Sequence, residues 1–507
     1  MKPALKLGKL FDGTYELDGS GIPCFKLFSG GRWIFPEGRK LIDVRSPIDG
    51  SVIAKMSAAG DTEADKAVED AHGARRSIRG LPAIERLNIM VKASELLEEH
   101  RKEMVDAIVV NNGKTLADAN GEVSATRNRL RLSFQDARKI YGDYIPGDWA
   151  EENLGKVAMV IREPVGVVLA IPPFNYPLFI SYTKVIPALL AGNAVIAKPA
   201  SVDPVPGILM ARILEAAGLP AGAFNLITGR GAVGSRMARN QKVNMVTFTG
   251  STETGEELSK TSGIKKMHLE LGGKGCAIVL DDADLDNAAA KVLAGSLKNA
   301  GQRCDAVSCV LVQEGVSEKF YGLLKEGIGK WVHGDPRNER SKVGPLIDHE
   351  SAERVMALIN DAVERGATLA HGGKADGNFI EPTLLLDVPL DARIMKEETF
   401  GPVVTVHKFR NIEDAIGIAN SSKYGLDSAV FTMNINHAWK VAKRLEVGEV
   451  TINNFPAHGI GFFPFGGVKE SGLGREGVGY SIEEFTNMKT IVLDVRNANI
   501  WPGEETK

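Results

Sequence analysis

Between Val165 and Gly250 the chain alternates four short apolar or β-branched runs, VGVVLAI, AVIAKP, FNLIT and VNMVTFTG, with helical stretches of about ten to fifteen residues. No other feature constrains the fold as strongly. Strands this continuously apolar are buried on both faces, and strands joined through a helix pair in parallel, so the pattern calls for a Rossmann-like sheet covered by helices. A second α/β segment follows over residues 273–480, beginning with CAIVL and including Val310-Leu311-Val312. With 507 residues the chain exceeds one ordinary core, and two or three domains are expected.

The flanks carry simpler signals. Residues 1–60 alternate Gly-rich turns with β-like runs such as Trp33-Ile34-Phe35 and Leu41-Ile42-Asp43-Val44. Helices are expected from Thr62, from Pro82 to a stop at Asn111-Asn112-Gly113, and from Gly121 to Tyr141. The run Gly142 to Gly147 reads as a break in the pattern. Lys156–Arg162 and Thr490–Val495 read as two lone strands able to form one small sheet, whose edges invite subunit pairing.

Composition excludes several classes. Lys+Arg 61 against Asp+Glu 64 leaves a net charge of −3, so no basic field points to nucleic acid. Four cysteines, with no CxxC pair, suit neither a disulfide scaffold nor zinc and point to a reducing compartment. No apolar run reaches the roughly 18 residues of a membrane helix, and the N-terminus lacks the apolar core of a signal peptide. A cytoplasmic protein without resident metal is expected.

Five constellations carry chemistry. Asn299-Ala300-Gly301-Gln302-Arg303-Cys304-Asp305 follows a helical run, and its bend turns the Cys304 thiol toward a cleft, where backbone N–H groups and a cation such as Arg303 favour the nucleophilic thiolate. Glu270, in LELGGK, ends a strand, where apolar neighbours raise a carboxyl pKa toward that of a general base. Asn175, in PPFNYP, stands at the carboxyl end of a strand and offers an amide N–H to an oxyanion. Lys198 and Ser201, in KPAS, end another strand and suit a ribose or its phosphate. FTGSTETG opens a helix with GxxxxG spacing rather than GxGxxG, a turn suited to phosphate at a helix N-terminus. Each has an ordinary reading beside this one: a core cysteine, a solvated glutamate, a turn-forming asparagine, a surface lysine, a plain strand-to-helix turn.

Together with EETFGP (Glu397–Pro402) and PFGGVKESGLGREG (Pro464–Gly477), these motifs occur in an order that resembles the aldehyde dehydrogenase superfamily over nearly the whole chain. The resemblance implies two Rossmann-like α/β domains plus a small β oligomerisation element. Residues 1–148 with 164–272 would bind cofactor, 273–482 would form the catalytic domain, and 149–163 with 483–507 would pair subunits into a homotetramer. It makes Cys304 the nucleophile, Glu270 the general base and Asn175 the oxyanion amide. Cofactor positions are Lys198, Ser201, Gly231, Gly250, Ser251, Gly255, Glu398 and Phe400.

NAD-preferring relatives tend to carry an acidic residue where this chain has Ser201, so NADP is the expected cofactor, with NAD possible. Gly142–Trp149, Asn175-Tyr176-Pro177, GQRC and His458–Phe465 resemble the non-phosphorylating glyceraldehyde-3-phosphate dehydrogenases, the archaeal branch above all. Under that resemblance Tyr176, Arg303 and His458 meet the substrate and the cations meet its phosphate. Two positions depart from the phosphate-binding pattern: Ala457-His458 replaces an arginine before the PF motif, and Ala125 replaces another, with Arg127 or Arg131 as the candidate substitutes. Succinate semialdehyde, glyceraldehyde and lactaldehyde stay open as substrates. So do a CoA-acylating enzyme and a non-catalytic nucleotide-binding protein.

Overall fold

The computed structural model describes residues 2–494. Its larger sheet has eight strands in the order Gly472–Leu473, Lys266–Glu270, Met245–Thr249, Val167–Ile171, Ala194–Ala197, Phe224–Leu226, Leu27–Ser29 and Arg32–Ile34. The five strands from Lys266–Glu270 to Phe224–Leu226 are parallel. The chain winds outward one way from Val167–Ile171 and the other way through Met245–Thr249, which makes their carboxyl ends a topological switch point. The period-two pleat divides each strand between two cores. Val168 and Ala170 pack with the helices Ala83–Glu99 and Phe179–Leu190, whereas Val167 and Leu169 pack with Asp61–Gly80 and Gly231–Arg239.

The second sheet has seven strands, in the order Thr368–His371, Thr383–Leu386, Val403–Phe409, Val307–Gln313, Gly275–Val279, Asp427–Phe431 and Glu449–Ile452. All its pairings are parallel except that of Thr368–His371. Ala277 and Val279 face one core, Cys276 and Ile278 the other. Glu270 and Gly275 thus end one sheet and begin the next, and the link between them lies where the two sheets meet.

The two lone strands pair as expected. Lys156–Pro164 runs antiparallel to Thr486–Asp494 over nine residue pairs, and Val495 with the rest of the expected oligomerisation tail lies outside the described residues. The expected break at 142–147 is itself a strand, Asp143–Pro146, on the other edge of that ribbon. Local turn residues hid it because its pairing partner, not its own composition, makes it extended.

The expected helix from Pro82 is two helices, Ala83–Glu99 and Arg101–Asn112, interrupted at His100 (φ −104°, ψ 24°). The third expected helix is likewise divided, into Leu116–Arg131 and Ser133–Ala137. Among the described residues no helix is long and apolar enough to cross a membrane.

Candidate active site

After the helix Leu285–Leu297, residues Asn299, Ala300 and Gly301 adopt φ of 53°, 54° and 71°. A non-glycine residue in this region costs on the order of 1–3 kcal/mol, so the surroundings must hold the turn. Asn299 Nδ2 donates to the carbonyls of Asn175 and Gln302, each at 3.2 Å, and Gln302 Oε1 accepts from the Ile347 N–H at 2.9 Å. A Cβ at Gly301 would lie 2.0 Å from the Gly401 carbonyl oxygen. The turn delivers Cys304, partly buried, to the wall of a cavity of about 210 Å³.

Tyr176, Arg303 and His458 line the same cavity, with Lys298 and Phe455. The structure therefore brings the three sequence-predicted substrate residues to Cys304. Asn175 is buried beside them, its Nδ2 donating to the Gln302 carbonyl at 3.0 Å and its Oδ1 without a partner. Arg127, by contrast, pairs with Glu98 on the surface at 3.3 Å, and neither it nor Arg131 lines the cavity. Lys298, at the end of its helix, was missed because an isolated lysine at a helix end reads as a solvated cap.

The Cys304 thiol is not held low in this structure. Arg303 is engaged beside it: its Nε donates to Asp305 Oδ1 at 2.9 Å and its Nη2 to the Pro456 carbonyl at 3.0 Å. Burial pushes the Cys304 thiol well above its usual range, and the carboxylates of Glu270 and Asp305 push it further. Asp305 gains a clear role from this geometry. It holds Arg303 and also accepts the His458 N–H at 3.0 Å, joining the cysteine turn to the loop across the cavity. Only Nη1 of Arg303 is left buried without a partner.

Glu270 ends its strand as expected, and among the described residues neither carboxylate oxygen has a hydrogen-bond partner. Burial raises its pKa, and the Glu476 carboxylate raises it further. Despite its own burial, Glu476 is held well below the ordinary carboxylate range by Lys184, whose Nζ lies 2.6 Å from Oε1, and by His458 and His268. Burial opposes protonation of His458, yet Glu476, 3.5 Å away, raises its pKa overall. Sequence reading assigned neither Lys184 nor Glu476. The available signal was a lone lysine in an otherwise apolar helix, FISYTKVIPALL, since such a charge requires a buried partner.

On the other side of the switch point lies an open groove of about 1140 Å³ lined by Ile171, Lys198, Gly231 and Phe248 among others. Lys198 is not a surface lysine. It is buried at the groove floor, burial lowers its pKa to about 8, and it donates to the Pro199 carbonyl at 3.3 Å. The helix Gly231–Arg239 begins over it, with a Cβ at Gly234 only 3.0 Å from the lysine side chain. A buried cation beside a helix N-terminus fits an anionic nucleotide. Ser201, three residues after Lys198, carries a hydroxyl whose Oγ donates to the Gly229 carbonyl at 2.8 Å, while the groove lining itself includes the carboxylates of Asp61, Asp65 and Glu257.

The FTGSTETG turn divides its labour. The Gly250 N–H donates to the Glu270 carbonyl at 3.1 Å, and Ser251 caps the helix Thr252–Thr261 by accepting from Thr254. Gly255 is small for packing: a Cβ there would lie 2.4 Å from Leu271, and the residue borders a separate recess, not the groove. Glu398 Oε1 accepts the Gly273 N–H at 3.2 Å, and burial pushes its pKa up to about 7. Phe400 (φ 48°) packs edge-on against Phe174, 5.8 Å between ring centres. Arg354 holds this segment through the Glu398 and Thr399 carbonyls, at 2.9 and 2.8 Å.

A sequence profile of the aldehyde dehydrogenase family matches residues 33–491. The NADP-dependent succinate-semialdehyde dehydrogenase of Escherichia coli is 39% identical over 483 residues, covering 94% of this chain and 98% of that protein. A lactaldehyde dehydrogenase of Methanocaldococcus jannaschii is 39% identical over 472 residues, covering 92% of this chain and 100% of that protein. Among solved structures, the NADP-dependent glyceraldehyde-3-phosphate dehydrogenase of Bacillus halodurans, complexed with NADP, superposes with a TM-score of 0.91 at 37% identity, covering 93% of this chain and 99% of that one.

Proposed function

This chain belongs to the aldehyde dehydrogenase family, and we propose that it oxidises a small anionic aldehyde to its acid with NADP, glyceraldehyde 3-phosphate to 3-phosphoglycerate being the first-choice reaction. The observation that carries this reading is the single cavity shared by Cys304, Arg303, Tyr176 and His458. A reacting carbonyl at the sulfur leaves its anionic tail among the Arg303, His458 and Lys298 side chains.

Cys304 attacks the aldehyde carbon as the thiolate, and Glu270 is the neighbouring base for its proton. Asn175 Nδ2 turns from the Gln302 carbonyl to the oxyanion, beside the Cys304 backbone N–H. A nicotinamide cofactor, when bound, would supply the redox chemistry as the hydride acceptor. Once Glu270 has released the thiol proton to solvent, it takes a proton from the water that hydrolyses the Cys304 thioester, a role suited to its raised pKa. Lys198 and Ser201 would hold the ribose and its 2′-phosphate, and Gly231, Gly250 and Ser251 would shape the pyrophosphate turn, with Gly255 packing behind it against Leu271. Glu398 and Phe400 hold the nicotinamide end. In this reading residues 1–148 with 164–272 bind cofactor, 273–482 carry the chemistry, and 149–163 with 483–507 assemble a cytoplasmic homotetramer. Exposed Tyr144, Ile145, Met159, Met488 and Val492 on the three-stranded ribbon support the last point.

Succinate semialdehyde is the second reading. Among the described residues Arg303 has only its Nη1 nitrogen unpartnered, so it offers one nitrogen rather than the two-nitrogen fork, which favours a lone carboxylate over a phosphate. The deciding experiment is an aldehyde panel with NADP. Higher kcat/KM for glyceraldehyde 3-phosphate supports the first reading, and efficient turnover of succinate semialdehyde alone replaces it. Acid formation independent of CoA separates hydrolysis from acyl transfer, and nucleotide binding without turnover would mean a binding protein.

A further inference from the structure

We propose that Lys114 and Glu122 are positioning residues that set the loop carrying Asn175, an inference that rests on the aldehyde-oxidising reading of this site. The loop joins the strand Val167–Ile171 to the helix Phe179–Leu190, and sequence reading treated Asn111-Asn112-Gly113 only as a helix stop. Lys114 Nζ lies 2.5 Å from Glu122 Oε2, and both side chains are fully buried. The same ammonium stands 3.5 Å from the centre of the Tyr176 ring. Glu122 Oε1 accepts the N–H groups of Leu178 and Phe179, at 2.9 and 3.0 Å. Asn112 Nδ2 donates to the Phe174 carbonyl and to Asp203 Oδ2, both at 2.7 Å.

Residues on both sides of Asn175 are therefore tied to one short segment: 174 by Asn112, 176 by Lys114, 178 and 179 by Glu122. The tie also reaches the KPAS loop, since Asn111 Nδ2 donates to the Val202 carbonyl at 3.1 Å. A desolvated ion pair is a poor way to add stability, because apolar residues of equal volume serve as well. Its geometry here is directional instead. One carboxylate oxygen caps a helix, the other holds the ammonium, and the ammonium faces an aromatic ring at a fully buried site, where that attraction is strongest. The amide of Asn175 is useful only where the oxyanion forms, and a misplacement of about 1 Å can cost about 100-fold in rate.

The test is the rate of the first-turnover NADPH burst, with the NADP dissociation constant measured by fluorescence. Lys114→Met and Glu122→Gln should each slow the burst about tenfold or more, leave the NADP constant unchanged, and add no further slowing in an Asn175→Ala background. A wild-type burst in both variants, or the same slowing with and without Asn175, overturns the proposal. Should Lys114→Met fail to fold, the isosteric Glu122→Gln gives the same comparison. If Asn175→Ala alone bursts at the wild-type rate, the reading of the site itself fails, a result distinct from failure of the positioning role.

Discussion

Arg303 Nε donates to Asp305 Oδ1 at 2.9 Å, so the two residues that flank Cys304 in the chain are paired with each other. The Asp305 carboxylate is one of the charges that raise the Cys304 pKa. Asp305→Asn keeps an acceptor for the His458 N–H but removes that charge. The variant should be alkylated by iodoacetamide several-fold faster at neutral pH, because more of the thiol is ionised. An unchanged rate across the pH range would show that Asp305 exerts no field on the sulfur.

Gly273 tests how tightly the cysteine turn is held. A Cβ at this position would lie 2.5 Å from the Cys304 carbonyl oxygen, a backbone atom that cannot move without carrying the turn with it. Gly273→Ala should lower kcat by about 10²-fold, the scale expected for a shift of about 1 Å at a reacting group. NADP affinity, proposed to be set across the groove at Lys198, should hold. Wild-type kcat in this variant would mean that the turn has slack.

Much of this arrangement was legible in the sequence because it is local. The parallel strands announced themselves as uninterrupted apolar runs, and Glu270, Asn175 and Cys304 sit in motifs whose glycines and prolines mark the strand ends. What was hidden depends on partners distant in the chain. Asp143–Pro146 is a strand because Lys156–Pro164 pairs with it. Asp305 looked adverse to an anionic substrate until Arg303 and the His458 N–H were found on its two oxygens. Lys184 and Glu476, 2.6 Å apart across 292 residues of chain, show no spacing from which their pairing can be read.

Cofactor choice is tested at Ser201. Its hydroxyl donates to the Gly229 carbonyl at 2.8 Å, and position 201 itself carries no negative charge three residues after buried Lys198. Ser201→Glu places a carboxylate where the 2′-phosphate is proposed to sit and where free ribose hydroxyls would accept it. The ratio of kcat/KM for NADP over NAD should fall by on the order of 100-fold, as when like charges meet at a site. An unchanged ratio would remove Ser201 from the specificity argument.

Glu476 makes the sharpest statement about pH. Glu270 has a pKa raised first by burial and next by the Glu476 carboxylate, while Lys184 acts in the opposite direction. A general base works above its pKa, so hydrolysis of the Cys304 thioester should rise with pH through a value above the ordinary carboxylate range. Glu476→Gln removes a charge that raises that pKa and leaves the Lys184 ammonium to lower it. The acid limb of the hydrolysis rate should therefore move to lower pH. Glu270→Gln is the control: hydrolysis should fall by about 10² to 10⁴-fold, and the acyl-enzyme should accumulate to a mass detectable on the intact protein. If Glu476→Gln shifts the acid limb upward, or Glu270→Gln hydrolyses its thioester at the normal rate, another group takes the proton from water.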